Sequence, residues 1–142
     1  MKPVKNSGGY SLRILIVEDN FDSRRLLQKL LSNYGECDVA VNGKEAVEAF
    51  EKALDEEFSY DLICLDILMP VMDGQETLKK IREIEEVRGI YGDDGVKVII
   101  TSALDDNENI LKAFRTGCEG YIPKPLEKKK LLDKLKELGL LD

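Results

Sequence analysis

The stretch Leu62-Ile63-Cys64-Leu65-Asp66 limits the possible folds more than any other. It runs apolar without interruption into one acid, and Ile67-Leu68-Met69-Pro70-Val71-Met72-Asp73-Gly74 follows as a turn. An apolar run without polar alternation suits a strand covered on both faces, as in a parallel sheet flanked by helices. Asp66 then stands at the carboxyl end of a central strand, where open α/β sheets keep their ligands and chemistry. On this stretch alone, a reactive or metal-binding aspartate and an aspartate that merely opens a turn fit equally well.

The flanking sequence repeats the pattern. Leu12-Arg13-Ile14-Leu15-Ile16-Val17 is a first strand ending in Glu18-Asp19. A helix is expected from Phe21, with Leu26, Leu27, Leu30, Leu31 and Tyr34 on one face and Gly35 as its stop. Asp38 to Val41 is a short second strand. A second helix carries Ala46, Val47, Phe50 and Leu54 and ends at the solvated run Asp55-Glu56-Glu57. After the third strand, Gly74 opens a third helix with Leu78, Ile81, Ile84 and Val87 inward. Arg88 to Gly95 is a polar loop punctuated by glycines. Lys97 to Ile100 is a fourth strand ending at Thr101-Ser102-Ala103. A fourth helix runs from about Asp106 to Thr116 with Ile110, Leu111 and Phe114 apolar. Gly120-Tyr121-Ile122 is the fifth strand, before Pro123-Lys124-Pro125. A last helix carries Leu131, Leu132, Leu135 and Leu138 and stops at Gly139. Residues 1–11, with Gly8-Gly9, are expected to be a flexible N-terminal tail and 12–142 one domain. Strands alternating with helices in this way imply an α/β fold with a parallel sheet covered on both faces.

Composition removes several function classes. The formal charge is −7, and no basic stripe carries interleaved aromatics, so direct nucleic-acid binding is not expected. No apolar run is long enough to span a membrane, and the first residues lack the apolar core of a signal peptide. The three cysteines, Cys37, Cys64 and Cys118, lack CxxC spacing, and the chain has no histidine. That pattern disfavours zinc and points to reduced thiols in the cytoplasm, with Cys64 a small core residue. Without histidine, any histidine chemistry must come from a partner.

The polar residues at the strand ends can now be gathered. Glu18 and Asp19 follow the first strand, Asp66 the third, Thr101 the fourth and Lys124 the fifth. A doubly wound order sets all of them on the carboxyl edge of one sheet. Three carboxylates placed together repel unless cations intervene. Lys124 and one divalent cation balance them, and oxygen ligands of this kind suit Mg2+, which keeps several waters. A phosphoryl oxygen can replace such a water while Thr101 and Lys124 donate to its neighbours. No G-x-x-x-x-G-K-[ST] or G-x-G-x-x-G follows a strand, and there is no G-x-S-x-G elbow. Each residue alone has an ordinary reading: Thr101 a strand-end hydroxyl, Lys124 a solvated lysine, Tyr121 a half-buried core aromatic, and Glu18-Asp19 a helix cap. Their coincidence at one edge favours chemistry.

Over roughly Leu12 to Leu138 the chain resembles the receiver domains of two-component response regulators, of the single-domain chemotaxis type. The resemblance rests on Glu18-Asp19, on Leu65 to Gly74, on Thr101-Ser102-Ala103, on Gly117 to Tyr121 and on Lys124-Pro125. It implies a flavodoxin-like doubly wound sheet of five strands in the order 2-1-3-4-5 with five helices. It implies that Asp66 accepts a phosphoryl group from a partner's phosphohistidine, that of a sensor histidine kinase or a histidine phosphotransfer protein. Asp19, Asp66 and the backbone carbonyl of Leu68 would hold Mg2+, with Glu18 acting mainly through water. Thr101 would bind the phosphoryl group, Lys124 would pair with it, and Tyr121 would change rotamer as Thr101 moves, signalling through the face of the fourth helix, fifth strand and fifth helix. The Lys124-Pro125 bond is expected to be cis.

Glu18 stands where many members of that family have aspartate, and the loop from Arg88 to Gly95 exceeds a minimal receiver. In that family the positions two beyond Asp66 and Thr101 influence how water reaches the acyl phosphate; Leu68 and Ala103 offer no polar side chain there, so the resemblance implies slow self-dephosphorylation. The sequence stops at Asp142, just past the last helix, so the expected output is partner binding or phosphorelay to a downstream protein. Two other functions compete. One is a phosphatase with Asp66 as nucleophile; enzymes of the haloacid dehalogenase type that work this way carry a second acid two residues later, where Leu68 stands. A receiver-like scaffold that never takes phosphate fits poorly with intact Glu18, Asp19, Asp66, Thr101 and Lys124.

Overall fold

The computed structural model describes residues 11–69, 71–103 and 107–142. The expected tail up to Tyr10, Pro70 in the turn and the expected helix start at Asp106 lie outside the described residues. In chain order the elements are β1 (Leu12–Val17), α1 (Phe21–Leu31), β2 (Gly35–Ala40), α2 (Gly43–Asp55), β3 (Leu62–Asp66), α3 (Gly74–Val87), β4 (Lys97–Ser102), α4 (Asn107–Thr116), β5 (Gly120–Pro123) and α5 (Lys128–Glu137). A short 3-10 turn, Gly92–Asp94, lies in the loop before β4. The strands are parallel and ordered β2-β1-β3-β4-β5.

The apolar runs are explained by two cores. Leu12, Ile14 and Ile16 of β1 join Leu62 and Cys64 of β3, Ile99 of β4 and the α1 and α5 leucines Leu27, Leu31, Leu131 and Leu135. The alternate residues Leu15, Val17, Ile63, Leu65, Val98 and Ile100 face Phe50, Leu78 and Ile81 of α2 and α3. Because strand side chains alternate between faces, a strand in both cores must be apolar throughout. Asparagine or aspartate starts three helices: the Asn20, Asn42 and Asp73 side chains each accept a backbone N–H of the first turn at 2.9 Å. These caps satisfy donors that would otherwise be orphaned, and they fix where α1, α2 and α3 leave the carboxyl edge.

Several expectations are corrected. Gly35 does not stop α1, which ends at Leu31 with Ser32 as its cap. It opens β2, where a Cβ would come within 2.2 Å of the Leu12 carbonyl oxygen, so only glycine fits the close pairing with β1. The second strand is accordingly longer than Asp38–Val41. Leu26 is exposed rather than inward, and Val87 is 88% exposed. Val87 lies nine residues past Leu78, half a turn off the buried stripe, whereas Glu85, seven past, falls on it and is buried. On α4 the only buried residue is Ala113, while Leu111 and Phe114 face outward.

One turn residue is strained. Val71 has φ +70°, a left-handed backbone in which a β-branched side chain is an outlier. Val71→Gly is expected to raise stability by about 1 kcal/mol: relief of roughly 1–3 kcal/mol of strain exceeds the roughly 0.5–1 kcal/mol of extra unfolded-chain freedom. A urea midpoint that rises at constant slope checks this; an unmoved or lower midpoint contradicts it.

Candidate functional site

The parallel register sets the polar residues at one edge. Asp66 ends β3 and pairs with Thr101 of β4, and Thr101 in turn pairs with Ile122 of β5, two residues before Lys124. β1 ends one residue before Glu18. Within this edge Glu18 is fully buried, Asp66 and Thr101 are buried, and Asp19 is exposed at the mouth. Carboxylate oxygens of Glu18, Asp19 and Asp66 all lie within 4.8 Å of one another.

Lys124 is the cation among these acids. Its Nζ donates to Glu18 Oε1 and stands 3.6 Å from Asp66 Oδ2. The Leu68 backbone N–H donates to Asp66 Oδ1 at 3.3 Å, so the turn after β3 also orients the aspartate. The Asn20 N–H reaches Glu18 Oε2 at 3.4 Å. Burial pushes the Asp66 carboxyl up to about 7, aided by the hydrogen bond and the charge of Glu18; Lys124 and the Leu68 amide pull it the other way. Three carboxylates gathered around one ammonium leave a site with room in its charge balance for a further cation.

The Thr101 hydroxyl oxygen is buried with no hydrogen-bond partner among the described residues. A buried hydroxyl left without a partner is costly, and it marks a place where an acceptor such as a phosphoryl oxygen would be satisfied. A cleft of about 260 Å³ adjoins it, between Glu18, Thr101 and Lys124 on one side and Leu26, Leu27 and Leu126 on the other. The Lys124-Pro125 bond is cis, as expected.

Glu18, Asp19, Asp66 and Lys124 come together as their strand-end positions imply, with Thr101 beside them. Tyr121 is set apart. It pairs in register with Ile100 and packs half-buried on the core of α2 and α3, the strand alternation opposite to that of Thr101. The thiols take no part: all three cysteines are free, and burial holds Cys64 at about 12 and Cys118 at about 11.

Gln75, Arg82, Glu85 and Glu119 were not legible as a group. Arg82 of α3 donates to the carbonyls of Gly117 and Val96 and to the carboxylates of Glu85 and Glu119, at 2.6–3.0 Å. Glu85 and Glu119 in turn accept the N–H groups of Val96 and Val98 at the start of β4. The one signal was Glu85, an acid on the buried stripe of an amphipathic helix. Among the described residues, no helix is long and apolar enough to cross a membrane.

Comparison with known proteins agrees with this arrangement. The chemotaxis protein CheY of Treponema pallidum is 40% identical over 129 residues, covering 89% of this chain and 82% of that one. In a co-crystal structure of the Saccharomyces cerevisiae histidine phosphotransfer signaling protein Ypd1 with the receiver domain of its downstream response regulator Ssk1, a matching chain is 30% identical. Its TM-score is 0.78, with 91% of this chain and 89% of that chain covered. A CheX–CheY–BeF3–Mg2+ complex from Borrelia burgdorferi contains a chain with TM-score 0.76 and 27% identity, covering 89% of this chain and 88% of that one. The model of the response regulator receiver domain matches residues 14–136. With the acids, threonine and lysine at one edge of a 2-1-3-4-5 sheet, this chain belongs to the response regulator receiver domain family of two-component signalling.

Proposed function

We propose that this chain is a single-domain response regulator that takes a phosphoryl group onto Asp66. One observation carries the reading: a buried aspartate at the carboxyl end of β3 faces the Lys124 ammonium, with the unpartnered Thr101 hydroxyl in register beside it. The donor is a partner's phosphohistidine, since the chain has none of its own. An Asp66 carboxylate oxygen attacks phosphorus, the P–N bond breaks, and the imidazole nitrogen leaves with the electron pair. Lys124 and Thr101 donate to the phosphoryl oxygens as their charge shifts. Asp19, Asp66 and the Leu68 carbonyl would hold Mg2+, with Glu18 acting mainly through water; the ion would supply the positive charge that three carboxylates and a phosphoryl group require.

Phosphorylation takes the Asp66 side chain from about −1 to about −2. Contacts of Thr101 and Lys124 made only in that state shift the conformational balance, with Tyr121 as the responding aromatic. The partners are a sensor histidine kinase or a histidine phosphotransfer protein upstream and a protein target downstream, with no membrane insertion and a cytoplasmic location. The phosphotransfer complex formed by the Ssk1 receiver supports the upstream assignment. Leu68, at the position where phosphatases of the haloacid dehalogenase type carry their second acid, speaks against that enzyme.

The test is intact mass after incubation with phosphoramidate and Mg2+. The wild type is expected to gain one phosphoryl group, and Asp66→Ala or removal of Mg2+ to abolish the gain. No gain in the wild type would leave a receiver-like scaffold, and equal gain in Asp66→Ala would move the site elsewhere.

A further inference from the structure

α4 is held almost without a core contribution, since Ala113 is its one buried residue. Two α3 side chains grip it instead, one at each end, and very unequally. At the carboxyl end the Arg82 guanidinium donates twice to the Gly117 carbonyl, and Glu85, Glu119 and the Val96 carbonyl fix that guanidinium from other sides. At the amino end the grip from α3 is lighter: among the described residues, Gln75 Nε2 donates to the Asn109 carbonyl at 2.9 Å. Gln75 is 6% exposed, and its Oε1 is buried with no partner among the described residues. A buried amide that uses its donor and leaves its acceptor empty is only half satisfied, so this end is the weaker one.

Gln75 is also the residue next to the phosphoacceptor turn. The Gly74 N–H donates to the Ile67 carbonyl at 2.9 Å, and a Cβ on Gly74 would lie 2.3 Å from the Asp66 carbonyl oxygen. The start of α3 is thus packed directly on the Asp66 backbone, and any shift of that backbone is passed to Gln75. Resting on the phosphoacceptor reading above, we propose that Gln75 is a positioning residue: a releasable latch that couples the Asp66 turn to the amino end of α4, while Arg82 anchors the other end as a pivot.

Amide hydrogen exchange along α4 tests this in the wild type, Gln75→Leu and Gln75→Met, first without a phosphoryl donor. Methionine keeps the side chain's length and lacks the amide, and it stands in if the leucine variant folds poorly. Without donor, exchange at Leu111, Lys112 and Ala113 is expected to rise about three- to tenfold in the variants, the range of one net hydrogen bond. Exchange at Gly117 and Cys118, whose N–H groups donate to the Ala113 carbonyl beside the Arg82 anchor, is expected to stay within about twofold. With phosphoramidate and Mg2+, the variants are expected to be phosphorylated as fully as the wild type. On phosphorylation the wild type is expected to show a further rise at Leu111 to Ala113, and the variants to lack most of it, because their latch is already open.

No rise without donor, or an equal rise at both ends as a merely structural role would give, overturns the latch. A full phosphorylation-dependent rise in the variants overturns the coupling. A wild type that takes no phosphoryl group removes the coupling together with the phosphoacceptor reading, while the donor-free comparison still decides whether Gln75 latches α4.

Discussion

Gly74→Ala is expected to destabilise the protein by about 3 kcal/mol or more, the upper part of the range for overpacking a fixed site. The added Cβ would lie 2.3 Å from the Asp66 carbonyl oxygen and 2.7 Å from Ile67 Cα. Both are backbone atoms of β3 and the residue after it, so no side-chain rotation relieves the contact. Either the start of α3 moves outward, breaking the Gly74 N–H bond to Ile67 and the Asp73 cap, or Asp66 is displaced from Lys124. Thermal unfolding is expected to fall by roughly 10 °C for a domain of this size. A change below 2–3 °C would mean that the helix start yields cheaply, and the close coupling of α3 to Asp66 would be lost with it.

The second large effect is expected for Lys124→Met. Glu18 is fully buried and its partner is the Lys124 ammonium, which also faces Asp66. Removing the cation leaves two acids in contact in a low-dielectric site, and breaking a buried pair in this way costs about 3–5 kcal/mol. The lower end applies, because Asp19 and the mouth of the site are open to water. A divalent cation returns the missing charge. Millimolar Mg2+ should therefore raise the unfolding temperature of Lys124→Met by clearly more than it raises that of the wild type. Equal shifts in the two proteins would show that metal and lysine do not share the same carboxylates.

Much of this architecture could be read from residue order. Strands buried on both sides must be apolar at every position, so Leu62–Leu65 and Ile14–Val17 announce themselves. Polar residues that end such strands have few places to go, and Glu18, Asp66, Thr101 and Lys124 were legible for that reason. Gly35 misled because a glycine after a helical pattern is ordinarily its stop; its true constraint, a 2.2 Å approach to the Leu12 carbonyl, comes from a neighbouring strand. Val87 misled because its hydrophobicity outweighed its angle on the helix. The Arg82 network stayed hidden because its partners, Glu85, Val96, Gly117 and Glu119, meet only once α3, α4 and the starts of β4 and β5 are in place. Nor does sequence spacing reveal that an amide as ordinary as Gln75 is buried against a helix that follows more than thirty residues later.

The small apolar footprint of α4 has a consequence for variation. Six of its ten residues are exposed and can be exchanged without opening a hole in either core, and Ala113 alone is buried. Substitutions there are expected to fall within about 0.5 kcal/mol of neutral, as on other surfaces. A scaffold that keeps its acids, threonine and lysine at the strand ends and carries so lightly rooted a helix can change that helix's surface one residue at a time, while the strand-end cluster stays untouched.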